Sequence, residues 1–321
     1  MATSAGMHIV DAQVHLNQLV PDWRTAEPDQ VIEAAIVAMD AVGIDAVLIA
    51  ESRGFDAKMR PALGPELPNG AIRAQFPFSE RAVALHPDRF AYLVRIDAKD
   101  PELGRLVAEV RSRPGALCMR IVPVPNIGEV EAFERGEFEP LLAAAAEHQV
   151  PVFCWFPGRS HLLVPYLRKY PTLQLILDHC GVGVAPPLTG WELPPTLQTS
   201  VTPTLAERLA QLERVIDLAQ YPNLALKWCH APGFLSAEPY PHRDMFAVLR
   251  RVLDAFGPER VMWASDYTVS QVETGYSWAH TLYYLLGSDQ LTQSEKEWLL
   301  GKSVRQVLRW PVPEAHAVSG Q

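Results

Sequence analysis

Short apolar runs alternate with amphipathic stretches along almost the whole chain. Eight of these runs are apolar without a polar alternation, which is the pattern of strands buried on both faces. They read His8–His15, Ala46–Glu51, Phe90–Asp97, Leu117–Val122, Val150–Phe156, Leu173–Gly181, Leu224–Cys229 and Val261–Tyr267. The intervening stretches carry the helical period. In Pro28–Val42, Val31, Ala34, Ala35 and Ala38 fall on one face. Asp100 is placed to cap a helix opening at Pro101, with Leu103, Leu106, Val107 and Val110 on its apolar side. Further helices are predicted over Phe138–His148, His161–Tyr170, Leu205–Ala219, Met245–Phe256 and Gly275–Leu286, and a last one over Ser294–Trp310. Strands separated by helices must be joined by crossovers and lie parallel. Eight such units favour a closed α/β (β/α)8 TIM barrel over a doubly wound open sheet, which usually has fewer strands.

Punctuation supports this division. The 28 prolines among 321 residues lie between the apolar runs rather than inside them. Two connections exceed ordinary loop length, about residues 53–77 after the second strand and 182–203 after the sixth. The second holds five prolines with Trp191 and Glu192 between them. Both leave the C-terminal ends of strands, the face on which a barrel carries its active site, so both read as lid-like insertions in one domain spanning 1–321.

Composition removes several classes of function. Apolar residues make up 48% of the chain, enough for a large core. The net charge of −9 and the lack of any basic block argue against nucleic acid or an anionic membrane as partner. No apolar run is long enough to span a bilayer, and Met1–Gly6 lacks the pattern of a signal peptide. Cys118, Cys154, Cys180 and Cys229 are scattered and form no CxxC pair, which points to reduced thiols and a cytoplasmic protein.

The informative residues are polar ones at the ends of buried strands. The first strand ends Asp11-Ala12-Gln13-Val14-His15, and simple alternation puts 11, 13 and 15 on one face. The sixth ends Leu177-Asp178-His179-Cys180-Gly181 and the eighth Trp263-Ala264-Ser265-Asp266-Tyr267. In a barrel, His15, His179 and Asp266 would converge on one mouth, where they could bind a metal or act as electrophile, acid and base. Arg120, in an apolar strand, needs an anion. Arg159 and His230 follow the fifth and seventh strands, while Trp155 and Tyr267 are candidate pocket walls. Each of these four also has a plain reading as a loop or packing residue. Glu51 and Ser52, which end the second strand, are weaker candidates.

The strings DAQVH at Asp11–His15, MRIVP at Met119–Pro123, LDHCG at Leu177–Gly181 and WASDY at Trp263–Tyr267 together resemble the amidohydrolase superfamily, and within it the amidohydrolase 2 group. Leu300-Gly301-Lys302-Ser303-Val304 resembles that group's closing helix motif. The group includes 2-pyrone-4,6-dicarboxylate lactonase, sugar lactonases and non-oxidative decarboxylases. The chain departs from the metal-binding members in two places. Their first strand carries His-x-His, whereas Gln13 stands here at the first histidine. Their fifth strand supplies another histidine, whereas the local text is Phe153-Cys154-Trp155-Phe156. An amide oxygen is a poorer zinc ligand than an imidazole.

The resemblance implies a hydrolase that opens a lactone or a related cyclic ester or amide. Asp266 would take the proton of an attacking water, while His15, His179 and Arg120 polarise the carbonyl. Gln13, Trp155, Arg159, His230 and Tyr267 would line the substrate, a small molecule for which a carboxylate is one anion suited to Arg120. No tightly bound cofactor is expected. The alternative is a single zinc or manganese ion held by His15, His179, Asp266 and Gln13. Rival readings are a decarboxylase on the same scaffold and a barrel that has lost catalysis and only binds. A homodimer would be in keeping with the group.

Overall fold

The computed structural model describes residues 6–16, 26–51, 64–123, 128–187, 189 and 202–313. Eight parallel strands pair in the order of the sequence: β1 Val10–Val14, β2 Ala46–Ile49, β3 Phe90–Val94, β4 Ala116–Ile121, β5 Val152–Cys154, β6 Leu175–Leu177, β7 Leu224–Cys229 and β8 Val261–Ala264. The ring closes just beyond the last pair. Val14 bridges Tyr267 in parallel register, Asp266 N–H donates to the Gln13 carbonyl at 3.0 Å, and His15 N–H donates to the Tyr267 carbonyl. The fold is therefore the (β/α)8 barrel, and the open sheet is excluded.

Helices α1 Pro28–Val42, α2 Pro77–Leu85, α3 Leu103–Glu109, α4 Glu139–Glu147, α5 Val164–Lys169, α6 Leu205–Ile216, α7 Met245–Phe256 and α8 Trp278–Leu286 cover the outside. Their ends follow local chemistry. Helix α1 opens on Pro28 and stops at Gly43, whose φ of 86° is the left-handed turn a glycine adopts freely. Thr204 and Glu207 form a capping box on α6, and Ser277 with His280 does the same for α8, so α8 starts later than the predicted Gly275. Helix α2 was not anticipated. It begins at Pro77, where the stretch read as a long insertion ends, and its first N–H groups are held by Glu51, which accepts from Ser79 N–H at 2.8 Å and Phe78 N–H at 3.2 Å. Glu51 thus serves a helix start. Ser52, residues 53–63 of the first predicted lid and most of the second, including Trp191 and Glu192, lie outside the described residues.

The closing helix runs from Gln293 to Leu308 with a π turn at Trp298–Lys302. A Cβ on Gly301 would sit 2.0 Å from the His8 carbonyl oxygen, so only glycine lets this turn press against the entry to β1.

Alternation sorts the strand side chains into two cores. Val47, Ile49, Val152, Leu226 and Trp228 face the helices. Ala46, Leu48, Ala91, Leu93, Phe153, Ile176, Ala225 and Met262 fill the barrel, large beside small, as the tapered interior requires. Strand β1 breaks the rule. Val10 and Ala12 point inward, yet Val14 and Leu16 point outward, and the register with β2 shifts between Asp11 and Val14. That irregularity inverts the parity. The expectation that 11, 13 and 15 share a face is thereby corrected: Asp11 turns to Ser265 and Trp278, while Gln13 and His15 turn into the site. Cys154 also packs with the outer core, so the inward positions of β5 belong to Phe153 and its neighbour Trp155.

Candidate active site

The C-terminal mouth of the barrel carries a continuous chain of buried polar contacts. At one end Arg120, inward on β4, donates from Nε to Asp178 Oδ2 at 2.7 Å, and its Nη2 lies 3.2 Å from His179 Nε2. Asp178 follows β6 and is also held by Lys227 of β7, whose Nζ lies 2.8 Å from Oδ1. The Lys227 ammonium donates onward to Gln13 Oε1. Gln13 Nε2 donates to Asp266 Oδ1 and lies 3.1 Å from His15 Nε2, which is itself 3.1 Å from Asp266 Oδ1. Asp266 Oδ2 is 2.7 Å from His230 Nε2, and His230 Nδ1 is 3.0 Å from Glu273.

Donor and acceptor logic settles two orientations. A guanidinium can only donate, so His179 Nε2 accepts and its proton sits on Nδ1. An ammonium can only donate, so the Gln13 oxygen faces Lys227 and its NH2 faces Asp266 and His15. At the mouth, among the described residues, the buried nitrogens with neither a hydrogen bond nor an ion-pair partner are His15 Nδ1, His179 Nδ1 and Arg120 Nη1.

The ionisation of each carboxylate follows its neighbours. Burial tends to raise every one of them. Among the described residues Asp11 has hydrogen bonds but no cation beside it, and burial pushes it up to about 6. At Asp178 the Arg120 and Lys227 charges outweigh the same penalty and bring it to about 2. At Asp266 the imidazoles of His15 and His230 do the same and hold it well below the usual range. For His230 the two carboxylates outweigh burial and raise it to about 10, so it stays an imidazolium at neutral pH. Burial, aided by the Lys227 charge, keeps His179 neutral.

The backbone is bent to make this layer. His179, His230 and Asp266 have φ of 49°, 54° and 55°, the left-handed region that costs a residue with a Cβ about 1–2 kcal/mol. Three strands thus turn sharply where they deliver a side chain to the mouth.

His15, Gln13, Arg120, His179, His230 and Asp266 are brought together. Trp155 is buried against Val122 and Val184, and Tyr267 stacks on Trp278 at 4.8 Å, beside the network rather than in its bonds. Arg159 is exposed, and none of the described contacts joins it to the group. Lys227, Asp178 and Glu273 were missed as site residues. Lys227 carried a usable signal: it is the one charged residue in the apolar run Leu224–Cys229.

Among the described residues, one group has ligand atoms close enough to share a metal ion: His179, Cys229, His230 and Asp266, all within 4.8 Å of one another. It shares His179 and Asp266 with the expected set. Burial holds the Cys229 thiol well above its ordinary value, so it is protonated.

This barrel with its polar mouth places the chain among enzyme folds, and comparison supplies the family. The Amidohydrolase family profile matches residues 10–310, and the chain belongs to that family. The L-fucono-1,5-lactonase of Burkholderia ambifaria is 30% identical over 139 residues, which is 42% of this chain. The chain matches about two-fifths (40%) of that relative's length. An amidohydrolase from Burkholderia multivorans with bound zinc superposes with a TM-score of 0.66 at 18% identity, over 95% of this chain and 100% of the other. A probable 2-pyrone-4,6-dicarboxylic acid hydrolase from Acinetobacter baumannii does so with a TM-score of 0.58 at 14% identity, over 95% and 100%. The structural likenesses, at such identities, speak to the fold alone. No helix among the described residues is long and apolar enough to cross a membrane.

Proposed function

We propose that the protein is a lactonase that opens a small cyclic ester with water, using Asp266 as base and no resident metal. One observation carries this reading: an ionised, buried carboxylate shares the mouth with three nitrogens that have no partner among the described residues. His179 Nδ1–H and Arg120 Nη1–H are donors suited to an ester carbonyl and to the oxyanion that develops on it. His15 orients Asp266 from the other side. Asp266 takes the proton of the attacking water, and the neighbouring His230 imidazolium stabilises the carboxylate and orients it. Holding Asp266 so far down also weakens it as a base. Polarisation of the carbonyl must therefore supply more of the rate.

The metal-free reading rests on the state of the donors. His230 presents both nitrogens to carboxylates, the Cys229 thiol is protonated, and the Gln13 oxygen is bound by Lys227. These three fit a divalent ion poorly. Arg120 and Lys227 both lean on Asp178, which leaves less free positive charge for a substrate carboxylate and favours an uncharged lactone.

The test is proton release from a panel of aldonolactones and from a pyrone dicarboxylate, with carbon dioxide measured in parallel. Proton release without carbon dioxide is expected, and Asp266→Asn should lower kcat by ~10²-fold or more. Stoichiometric carbon dioxide would make the enzyme a decarboxylase. An unchanged kcat in Asp266→Asn would remove the carboxylate as base.

A further inference from the structure

We propose that Lys227 is the built-in cation of this barrel, a positioning residue whose ammonium does electrostatically what a divalent ion does in a zinc-holding barrel of the family. The inference deepens the metal-free reading above and rests on it. Lys227 is fully buried, on an inward position of β7. Such a charge is retained only where it is paired. Its surroundings are complete: the Asp178 carboxylate at 2.8 Å, the Gln13 carbonyl oxygen, and the face of Phe153 with its centroid 5.3 Å away. The ammonium is thus turned toward these protein groups rather than toward a substrate.

The consequence runs through Gln13. A neutral amide could face either way, and only a fixed donor on one side decides it. Lys227 binds the oxygen, which turns the NH2 toward Asp266 Oδ1 and His15. The residue that stands where a metal-binding barrel has an imidazole therefore accepts from a cation on one side and donates to the base on the other. Lysine and glutamine act as a pair. Gln13 alone would be a weak ligand, and Lys227 alone a buried charge with one partner. The pair also differs from a metal in chemistry. A single charge with no open coordination position cannot activate a water, which leaves that task to Asp266. It also repels a second cation from the mouth.

The experiment measures zinc affinity by competition with a chromophoric chelator, so it does not depend on knowing the substrate. Wild type, Gln13→His, Lys227→Met and the double variant are compared, each checked for folding by circular dichroism. Restoring the imidazole while Lys227 remains should raise zinc affinity less than ~10-fold, and the double variant should exceed Gln13→His by ~10²-fold or more. Equal affinities for Gln13→His and the double variant would overturn the proposal. Should Lys227→Met not fold, wild-type protein labelled with lysine Nζ nitrogen-15 gives a second reading. A slowly exchanging ammonium resonance, absent from Lys227→Arg, is expected to stay unchanged when one equivalent of zinc is added. Its displacement by zinc would overturn the proposal. If no lactone is opened but the zinc results hold, the functional reading fails and the cation assignment stands.

Discussion

The interior of this barrel has two storeys that obey opposite rules. The lower one, with Ala46, Ala91, Ile176, Ala225 and Met262, is filled by apolar side chains. The upper one packs Arg120, Asp178, Lys227, Asp266 and His230, all buried as well. Both are buried, yet only the lower is stabilised by burial as such. In the upper storey each charge costs several kcal/mol to desolvate and persists only because a partner is fixed opposite it. The contrast between Asp11 and Asp178 shows the rule at work. The two carboxylates are similarly buried, and the one with no cation beside it among the described residues rises to about 6 while the one between two cations falls to about 2. A network so dependent on mutual pairing is poor at stabilising a fold and good at holding groups in one geometry for chemistry.

The sharpest way to break this comparison is to remove the hub. Asp178→Ala leaves Arg120 and Lys227 buried without their shared anion and should cost ~3–5 kcal/mol, read by urea unfolding. A loss below 1 kcal/mol would mean that water enters the upper storey.

The next effect is a pH dependence. His230 is raised from its ordinary 6.5 to about 10 by Glu273 and Asp266 against burial. A group raised in the folded state contributes its full stabilisation below the unfolded pKa and loses it as pH climbs through the folded one. Tm should therefore fall between pH 6.5 and 10, by an amount on the order of 4 kcal/mol in stability, at ~1.4 kcal/mol for each pH unit. The decline should be absent in His230→Gln, and a wild-type Tm flat across that range would show that His230 is not an imidazolium.

The smallest effect belongs to the lower storey. Ile176→Val removes one buried methylene from a volume-filled layer and should cost ~0.5–1.5 kcal/mol, with no change of its own with pH between 6.5 and 10. If Ile176→Val outweighs Asp178→Ala, the two storeys are not governed by different rules.

Much of this architecture is legible in the sequence, and the reasons are local. A strand buried on both sides must be apolar throughout, so β2, β3, β5 and β8 announce themselves. A polar residue at the end of such a run must be paired or used, so His15, His179 and Asp266 stand out before any coordinates exist. Glu51 shows the limit of that rule, since its use is to hold the start of α2.

What the chain alone leaves open is whatever depends on a second strand. Parity along β1 reverses because its pairing with β2 slips between Asp11 and Val14, and no feature of DAQVH dictates where a neighbour's register shifts. The left-handed turns at His179, His230 and Asp266 are imposed by packing against their own propensities. Lys227 and Gln13 lie 214 positions apart, and only barrel closure puts the ammonium against the amide. The sequence by itself determines which residues must be inside, because burial is decided by each side chain's own affinity for water. The tertiary structure decides which of them meet, because hydrogen bonds and ion pairs act over a few ångströms and the distance between two residues in space is set by the closed barrel.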